Sequence, residues 1–257
     1  MRLLLILKVS EEHQILPINY FFPLSCALRD LLRKIDPERA PWLREIGYSG
    51  GFEQFRLFTF SHIMLPNYRR EGDRLLIYST VVKLVFSLHL PQKAAGFLAS
   101  YLKGKTIRVA DSASRAVFRV DKVRILRIPS FGNTARFHTL SPICVTRRGF
   151  NNRRIYLAPD HEMFVKNLLK GLRRRYAAIH NGNARPELLE GPLDYQFKFL
   201  SEPKSRLITL RQTPEPQQAK GWLFDFELTA PPELLELGYY CGFGERNHYG
   251  FGCVEVG

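Results

Sequence analysis

The order in which the hydrophobic period changes along the first half of the chain is the strongest constraint on its fold. Continuous or alternating apolar runs predict strands, whereas apolar residues three and four positions apart predict a helix. Leu24, Leu28 and Leu31 recur at helical spacing, and Pro37 ends that helix. The predicted elements are a strand at 1–9, a helix at 24–35, strands at 54–61, 74–79 and 81–90, a helix at 91–102 and a strand at 105–110. Apart from one additional strand between the helices, this is the β-α-β-β-α-β order of a ferredoxin-like domain, whose helices cover one face of an antiparallel sheet.

The second half repeats this pattern less cleanly. Asp160 is a predicted N-cap, followed by an apolar stripe of Phe164, Leu168 and Leu172. Strands are predicted at 116–128, 137–145, 193–200, 205–211, 221–229 and 252–256. We therefore predict an α+β fold of two tandem ferredoxin-like (RRM-like) domains with antiparallel sheets. Their predicted limits are 1–120 and 121–257, with the boundary near residues 112–130.

The charge balance predicts a polyanionic partner. Lysine and arginine number 38 against 24 aspartates and glutamates, which gives a formal net charge of +14. Each phosphate that such a surface neutralises releases counterions, which favours binding of nucleic acid. An anionic membrane would favour basic residues gathered on one amphipathic helix. Here they are spread along the chain, so we expect a nucleic-acid partner and no membrane.

The cysteines and the N-terminus predict a cytoplasmic protein without a metal site. Cys26, Cys144, Cys241 and Cys253 form no pair or Cys/His set with zinc-ligand spacing. Reduced thiols are the better interpretation in a chain of this size. The apolar run at 3–7 is short, and no small-residue cleavage site follows it. It is therefore interpreted as a buried first strand rather than a signal peptide.

A glycine-rich segment at 238–252 is the most informative candidate site. Five glycines in fifteen residues allow a backbone to approach a ligand closely and to present N–H groups to anions. Arg246 and His248 add donors, and neighbouring aromatic rings add surfaces for base stacking. A glycine-rich hairpin without a ligand explains the composition equally well. Dinucleotide-binding and P-loop fingerprints are both absent.

Basic residues near this segment and elsewhere in the second half are candidates for phosphate contacts. Two arginine pairs flank a predicted loop at 149–152, next to a predicted strand. Basic runs are often only solvated surface, but the net charge favours contacts with phosphates for some of them. The predicted nucleic-acid-binding residues are Arg147, Arg148, Arg153, Arg154, Lys204, Arg206, Lys220, Arg246, His248, Gly242 and Gly244.

Four segments, in order along the chain, resemble the repeat-RNA endoribonucleases associated with CRISPR, in the RAMP superfamily. They are a C-terminal glycine-rich signature at 242–252, preceded by segments at 56–61, 137–143 and 220–222. The resemblance implies two tandem ferredoxin-like folds. It also implies cleavage of CRISPR repeat RNA, within precursor CRISPR RNA, by its own 2′-hydroxyl without a metal or other cofactor. The expected products carry a 2′,3′-cyclic or 3′-phosphate.

That reaction needs a base, an acid and a cation. Many members of the family carry a histidine after the first helix, and Arg44 occupies the matching position here. A guanidinium stays protonated, so Arg44 can hold the scissile phosphate but cannot act as a general base. Tyr20, at the start of the first helix, and His62, after a predicted strand, complete the catalytic candidates, with His13 a weaker one. The alternatives are that Tyr20 only packs in the core and that His62 is only a surface or strand-end residue.

The missing histidine leaves other functions open. The chain could bind repeat RNA and cut it slowly or not at all, or serve as a structural subunit beside other CRISPR-associated proteins in an effector complex. The family resemblance also leaves a homodimer open. A general RNA-binding protein with ferredoxin-like domains would bind without preference for the repeat. Since the RRM aromatic signature is not evident, that function ranks last.

Overall fold

The computed structural model describes residues 1–9, 14–36, 47–50, 53–180, 185–189, 194–211 and 217–257, with only the backbone described for 47–50, 53–56, 152 and 211. In this part of the chain, no helix is long and apolar enough to cross a membrane. The elements of the first half are β1 (Arg2–Val9), β2 (Gln14–Pro17), α1 (Phe21–Arg33), β3 (Gly47–Gly50), β4 (Glu53–Arg56), β5 (Phe58–Phe60), β6 (Tyr68–Glu71), β7 (Arg74–Ile77), β8 (Val81–Leu88), α2 (Ala94–Leu102), β9 (Thr106–Ala110) and β10 (Arg115–Ile125).

The first sheet has five strands in the order β5-β8-β1-β10-β9, all antiparallel. Helices α1 and α2 cover one face, because alternate residues of the strands are apolar on that side. Leu5, Leu84 and Phe118 are fully buried there together with Leu28 of α1 and Leu98 of α2. This is the strand order of a ferredoxin-like fold, with β9 added at its edge.

The second half contains β11 (Thr134–Thr139), β12 (Thr146–Arg148), β13 (Arg154–Tyr156), α3 (Met163–His180), α4 (Pro186–Leu189), β14 (Gln196–Phe199), β15 (Lys204–Arg211), β16 (Gln217–Leu223), β17 (Asp225–Thr229), α5 (Pro232–Cys241) and β18 (Val254–Val256). Its four-stranded sheet has the order β14-β17-β11-β18, again antiparallel. Phe137 and Phe226 of the sheet pack against Phe164 and Leu172 of α3 and Leu235 of α5 in a second core. The predicted α+β class with two ferredoxin-like sheets is confirmed.

The first sheet extends further along the chain than the sequence predicted. Strand β10, which the sequence placed in the second half, pairs with β1 from Phe118 to Ile125. Its residues Ala116, Phe118 and Val120 are buried in the first core. The predicted limit at 120/121 falls inside this strand, beside a bulge between Ile6 and Leu7 of β1. The division into two domains stays a prediction, and we propose Ile125 as the end of the first.

Residues from the end of the chain complete the first core and join the two halves. Phe251, together with Ile208 and Ala219 of the β15–β16 hairpin, is buried among residues of the first sheet and α1. Arg2 of β1 is buried, places its guanidinium carbon 4.1 Å from the centre of the Tyr239 ring, and donates to Cys253 Sγ at 3.2 Å and to the Val254 carbonyl. The two halves therefore share a packed and hydrogen-bonded junction.

Candidate nucleic-acid interface

The predicted glycine-rich segment divides into a helix and a loop. Residues 238–241 lie in α5, so the loop begins only at Gly242; we call residues 242–252 the glycine loop. Its glycines include four with positive φ. At Gly252, φ is +75°, and a Cβ atom would overlap the carbonyl oxygen of Phe243. Glycine is thus required by the fold at this position.

A buried arginine holds the glycine loop in place. Arg175 of α3 is 4% exposed and donates to the Gly242 carbonyl at 2.7 Å, the Gly244 carbonyl at 3.1 Å and Asn247 Oδ1 at 2.8 Å. Burial lowers the pKa of this guanidinium, because the charged form loses its hydration. The oxygens around it compensate for that loss. Neither α3 nor the loop can therefore be shifted independently of the other.

The glycine loop also fastens the second half to the first. Ser25 Oγ of α1 donates to the His248 carbonyl at 2.6 Å, and Thr59 Oγ1 of β5 donates to the Phe251 carbonyl at 2.8 Å. Gly242 and Gly244 are buried, whereas Arg246 and His248 are half-exposed. The RNA contacts of Gly242 and Gly244 stay a prediction, and their buried positions supply a structural reason for both glycines. Arg246 and His248 are the predicted contacts that reach the surface.

The predicted arginine pairs lie on one short hairpin, β12–β13, which we call the basic hairpin (residues 146–156). Arg147, Arg148, Arg153 and Arg154 are all exposed. At its tip, Phe150 is 90% exposed, so a large ring stands in solvent among four cations. Exposed aromatic rings next to arginines are suited to stacking with nucleic-acid bases.

The basic hairpin is tied to the glycine loop by Glu245. This carboxylate accepts from the Thr146 N–H at 2.9 Å, from Thr146 Oγ1 at 2.8 Å and from Arg154 at 3.2 Å. Arg246 donates to the Tyr156 hydroxyl at 3.3 Å, and that hydroxyl donates to the Gln218 carbonyl at 2.7 Å. Burial raises the pKa of Tyr156. The basic hairpin, glycine loop and β15–β16 hairpin therefore form one continuous surface.

The remaining predicted basic residues do not share one face of the β15–β16 hairpin. Lys204, Arg206 and Lys220 are all exposed. Arg206 is opposite Gly221, whereas Lys220 is opposite Leu207. Since side chains alternate along a strand, Lys204 and Arg206 share one face and Lys220 lies on the other. The RNA contacts of these three residues stay a prediction.

The catalytic candidates are placed unequally. Tyr20 is 6% exposed, stacks on Phe21 at 5.1 Å and accepts the Ile63 N–H at 3.0 Å. Burial raises the pKa of its phenol, which opposes formation of a phenolate base. Arg44 and His13 lie outside the described residues. A catalytic role of Tyr20 stays a prediction, and its position matches the alternative of a core residue.

His62 combines exposure with a fixed ring. Its Nδ1 lies 2.6 Å from the Leu140 carbonyl oxygen, which also accepts the backbone N–H of His62 at 3.0 Å. A carbonyl only accepts, so the proton of the neutral imidazole lies on Nδ1 and Nε2 is left as an acceptor. In this tautomer Nε2 is the nitrogen that can take a proton, as a general base must.

One exposed histidine–carboxylate pair was not predicted. His138 of β11 is opposite Asp225 of β17, and its Nδ1 contacts that carboxylate. The neighbouring pair on the same face joins Arg136 to Glu227 at 2.7 Å. Only the strand register brings these residues together. In the described part of the chain, no group of three or more His, Cys, Asp or Glu side chains could hold a metal ion.

Comparisons with known proteins point to one family. Residues 126–256, more than half of the chain, match the family model described as CRISPR associated protein Cas6, C-terminal. The chain is 27% identical to the CRISPR-associated endoribonuclease Cas6 of Pyrococcus furiosus, over 93% of this chain and 83% of that protein. It is 26% identical to the CRISPR-associated endoribonuclease Cas6 1 of Methanocaldococcus jannaschii, over 95% and 89%. The solved structure of a Cas6-related gene product from Pyrococcus furiosus matches with a TM-score of 0.81 at 22% identity, over 100% of this chain and 98% of that one.

Proposed function

This chain belongs to the Cas6 family of CRISPR-associated proteins, and from that premise we propose that it binds CRISPR repeat RNA and cuts it without a metal. The observation that carries the proposal is the junction of the basic hairpin with the glycine loop through Glu245. It holds four exposed arginines and an exposed ring beside the segment that resembles the family signature.

The basic hairpin supplies the two kinds of contact that a single RNA strand needs. The guanidinium groups bind phosphates in a sequence-independent way and set the register of the strand. The Phe150 ring stacks on a base. Arg246, which is half-exposed, adds a further cation beside the basic hairpin.

Replacing Phe150 with alanine is expected to weaken repeat-RNA binding by about 1–3 kcal/mol, the usual contribution of one stacked base. Folding should not change, because the ring is 90% exposed. Fluorescence anisotropy with labelled repeat RNA measures the loss. Phe97→Ala, which removes another exposed ring, on α2, is the matched control. Equal affinities for both variants would show that the tip of the basic hairpin does not contact RNA.

The proposed cleavage is an internal transfer at phosphorus. A base removes the 2′-hydroxyl proton, and O2′ attacks the adjacent phosphorus. The P–O5′ bond breaks as an acid protonates O5′, so the products are a 2′,3′-cyclic phosphate and a free 5′-hydroxyl. His62 is the proposed base, because its Nε2 is an acceptor and its ring is fixed by Leu140. Arg44 is proposed to hold the charged phosphate, and water can serve as the acid.

A second function is favoured by one observation, the arginine at position 44. Without the histidine that many family members carry there, the chain could bind repeat RNA with little or no cleavage. Assembly with other CRISPR-associated proteins, or as a homodimer, would fit that role. Both functions use the same surface and differ only in the chemical step.

A single-turnover assay separates the two functions. The protein, in excess over repeat RNA and in EDTA, is expected to cut the RNA once and leave a cyclic phosphate. A matched RNA with one 2′-deoxynucleotide at the scissile position should bind equally and stay intact. Tight repeat-specific binding with no cleavage of either RNA would establish the binding function instead. Cleavage of the 2′-deoxy RNA would contradict the proposed chemistry.

A further inference from the structure

A groove of about 520 Å³ runs along the outward side of α3, away from the glycine loop that Arg175 holds. Four cations line it: Lys166, Lys170, Arg173 and Arg174. Spacings of four, three and one place them on one side of the helix. They extend over about 12 Å of helix axis, at 1.5 Å per residue. Charges opposite an apolar stripe are usually a solvated helix face.

The residues that line this groove are suited to binding a single strand of nucleic acid. Four of the eight described lining residues are cations and none is an aspartate or glutamate, which favours an anion in the groove. Tyr195 and Leu169 supply an apolar wall, and the tyrosine ring is half-buried. Cations in a row beside an aromatic ring are typical of sites that track a single strand and stack one base.

A hydrogen bond connects this groove to the surface described above. Asn167, between two of the groove residues, donates from Nδ2 to the Thr146 carbonyl at 3.0 Å, so α3 is fixed against the basic hairpin. An RNA strand bound at the basic hairpin can therefore continue along α3.

We propose that the α3 groove binds a second stretch of the repeat RNA, with its phosphates on Lys166, Lys170, Arg173 and Arg174 and a base against Tyr195. This proposal rests on the proposed function, because the same RNA would occupy both surfaces. The protein would then hold the repeat at two separated places.

The test uses the full chain with Lys166 and Lys170 both changed to glutamine. Both lysines are exposed, so the fold should be unaffected. Lys93→Gln with Lys103→Gln is the control, since it removes the same charge from exposed positions at the two ends of α2. Affinity is measured from 50 to 400 mM salt, a range of roughly eightfold that resolves the counterion slope. Repeat RNA and a scrambled RNA of equal length are compared.

We expect the α3 variant to bind on the order of tenfold more weakly at low salt, with a salt slope shallower by about 1.4, or 0.7 for each lost phosphate contact. The control should keep the wild-type slope. An α3 variant that matches the control on both RNAs would overturn the proposal. If the α3 variant matches the control on both RNAs but binds polyglutamate more weakly than wild type does, the groove is a protein-docking site. If wild type does not prefer repeat RNA, the proposed function fails, and the slope on scrambled RNA still decides whether the groove binds phosphates.

Discussion

Replacing Arg175 with alanine is expected to lower the free energy of unfolding by about 3–5 kcal/mol, because three buried acceptors would lose a hydrogen-bond donor. The carbonyls of Gly242 and Gly244 and the side-chain oxygen of Asn247 would lose their donor inside the protein. Each buried acceptor left alone costs about 1–3 kcal/mol, so the network loses far more than one hydrogen bond. Thermal unfolding followed by circular dichroism should show a midpoint lower by about 10 °C.

Lys170→Ala on the same helix is the control for Arg175→Ala. Its side chain is exposed, and its loss should change stability by less than about 0.5 kcal/mol. Arg175→Lys keeps the charge but cannot reach three acceptors at once, so an intermediate midpoint is expected. If Arg175→Ala unfolds at the same midpoint temperature as wild type, the glycine loop is held by its backbone alone.

Replacing His62 with alanine is expected to slow single-turnover cleavage by about 10²–10⁴-fold, the range that one general base contributes. Repeat-RNA affinity should stay near wild type, because the imidazole is proposed to act on one proton and not on the phosphates. The measurement compares the cleavage rate at saturating protein with the dissociation constant from the same preparation.

Tyr20→Phe separates catalysis from packing in the same assay. The buried Tyr20 hydroxyl accepts a hydrogen bond from the Ile63 N–H. Its loss should therefore cost about 1 kcal/mol of stability and leave the cleavage rate unchanged. A His62→Ala protein that cuts at the wild-type rate would exclude His62 as the base. A Tyr20→Phe protein that folds but no longer cuts would transfer the role to Tyr20.

The sequence predicted the fold class because the spacing of apolar residues is a strong local signal. It did not predict the elements that depend on contacts between distant parts of the chain. Helix α5 was not predicted, since Pro231, Pro232 and Gly238 indicate a loop when taken alone. In the structure, Pro232 opens the helix, and Gly238 leaves space for the Phe243 ring, which a Cβ atom would overlap. Strand β10 was counted with the second half, because the strand that it pairs with cannot be derived from alternation within one strand.

The site was predictable only where charge and exposure coincide in a short segment. The arginine pairs at 147–148 and 153–154 indicated the basic hairpin because a turn lies between them. Glu245 gave no comparable signal, since its partners Thr146 and Arg154 are distant in sequence. The pair His138–Asp225 depends on strand register, and the α3 groove depends on which side of a helix faces its neighbours.

The shared junction has a consequence for folding during synthesis. Domains of most proteins fold in turn as they leave the ribosome, the N-terminal one first. Here Phe251 fills the core of the first sheet, and Arg2 bonds to Cys253 and Val254. The half that is made first must therefore wait, with part of its core open, until residues 251–254 emerge. A ribosome stalled before residue 251 would hold a chain whose first half is still open to proteases.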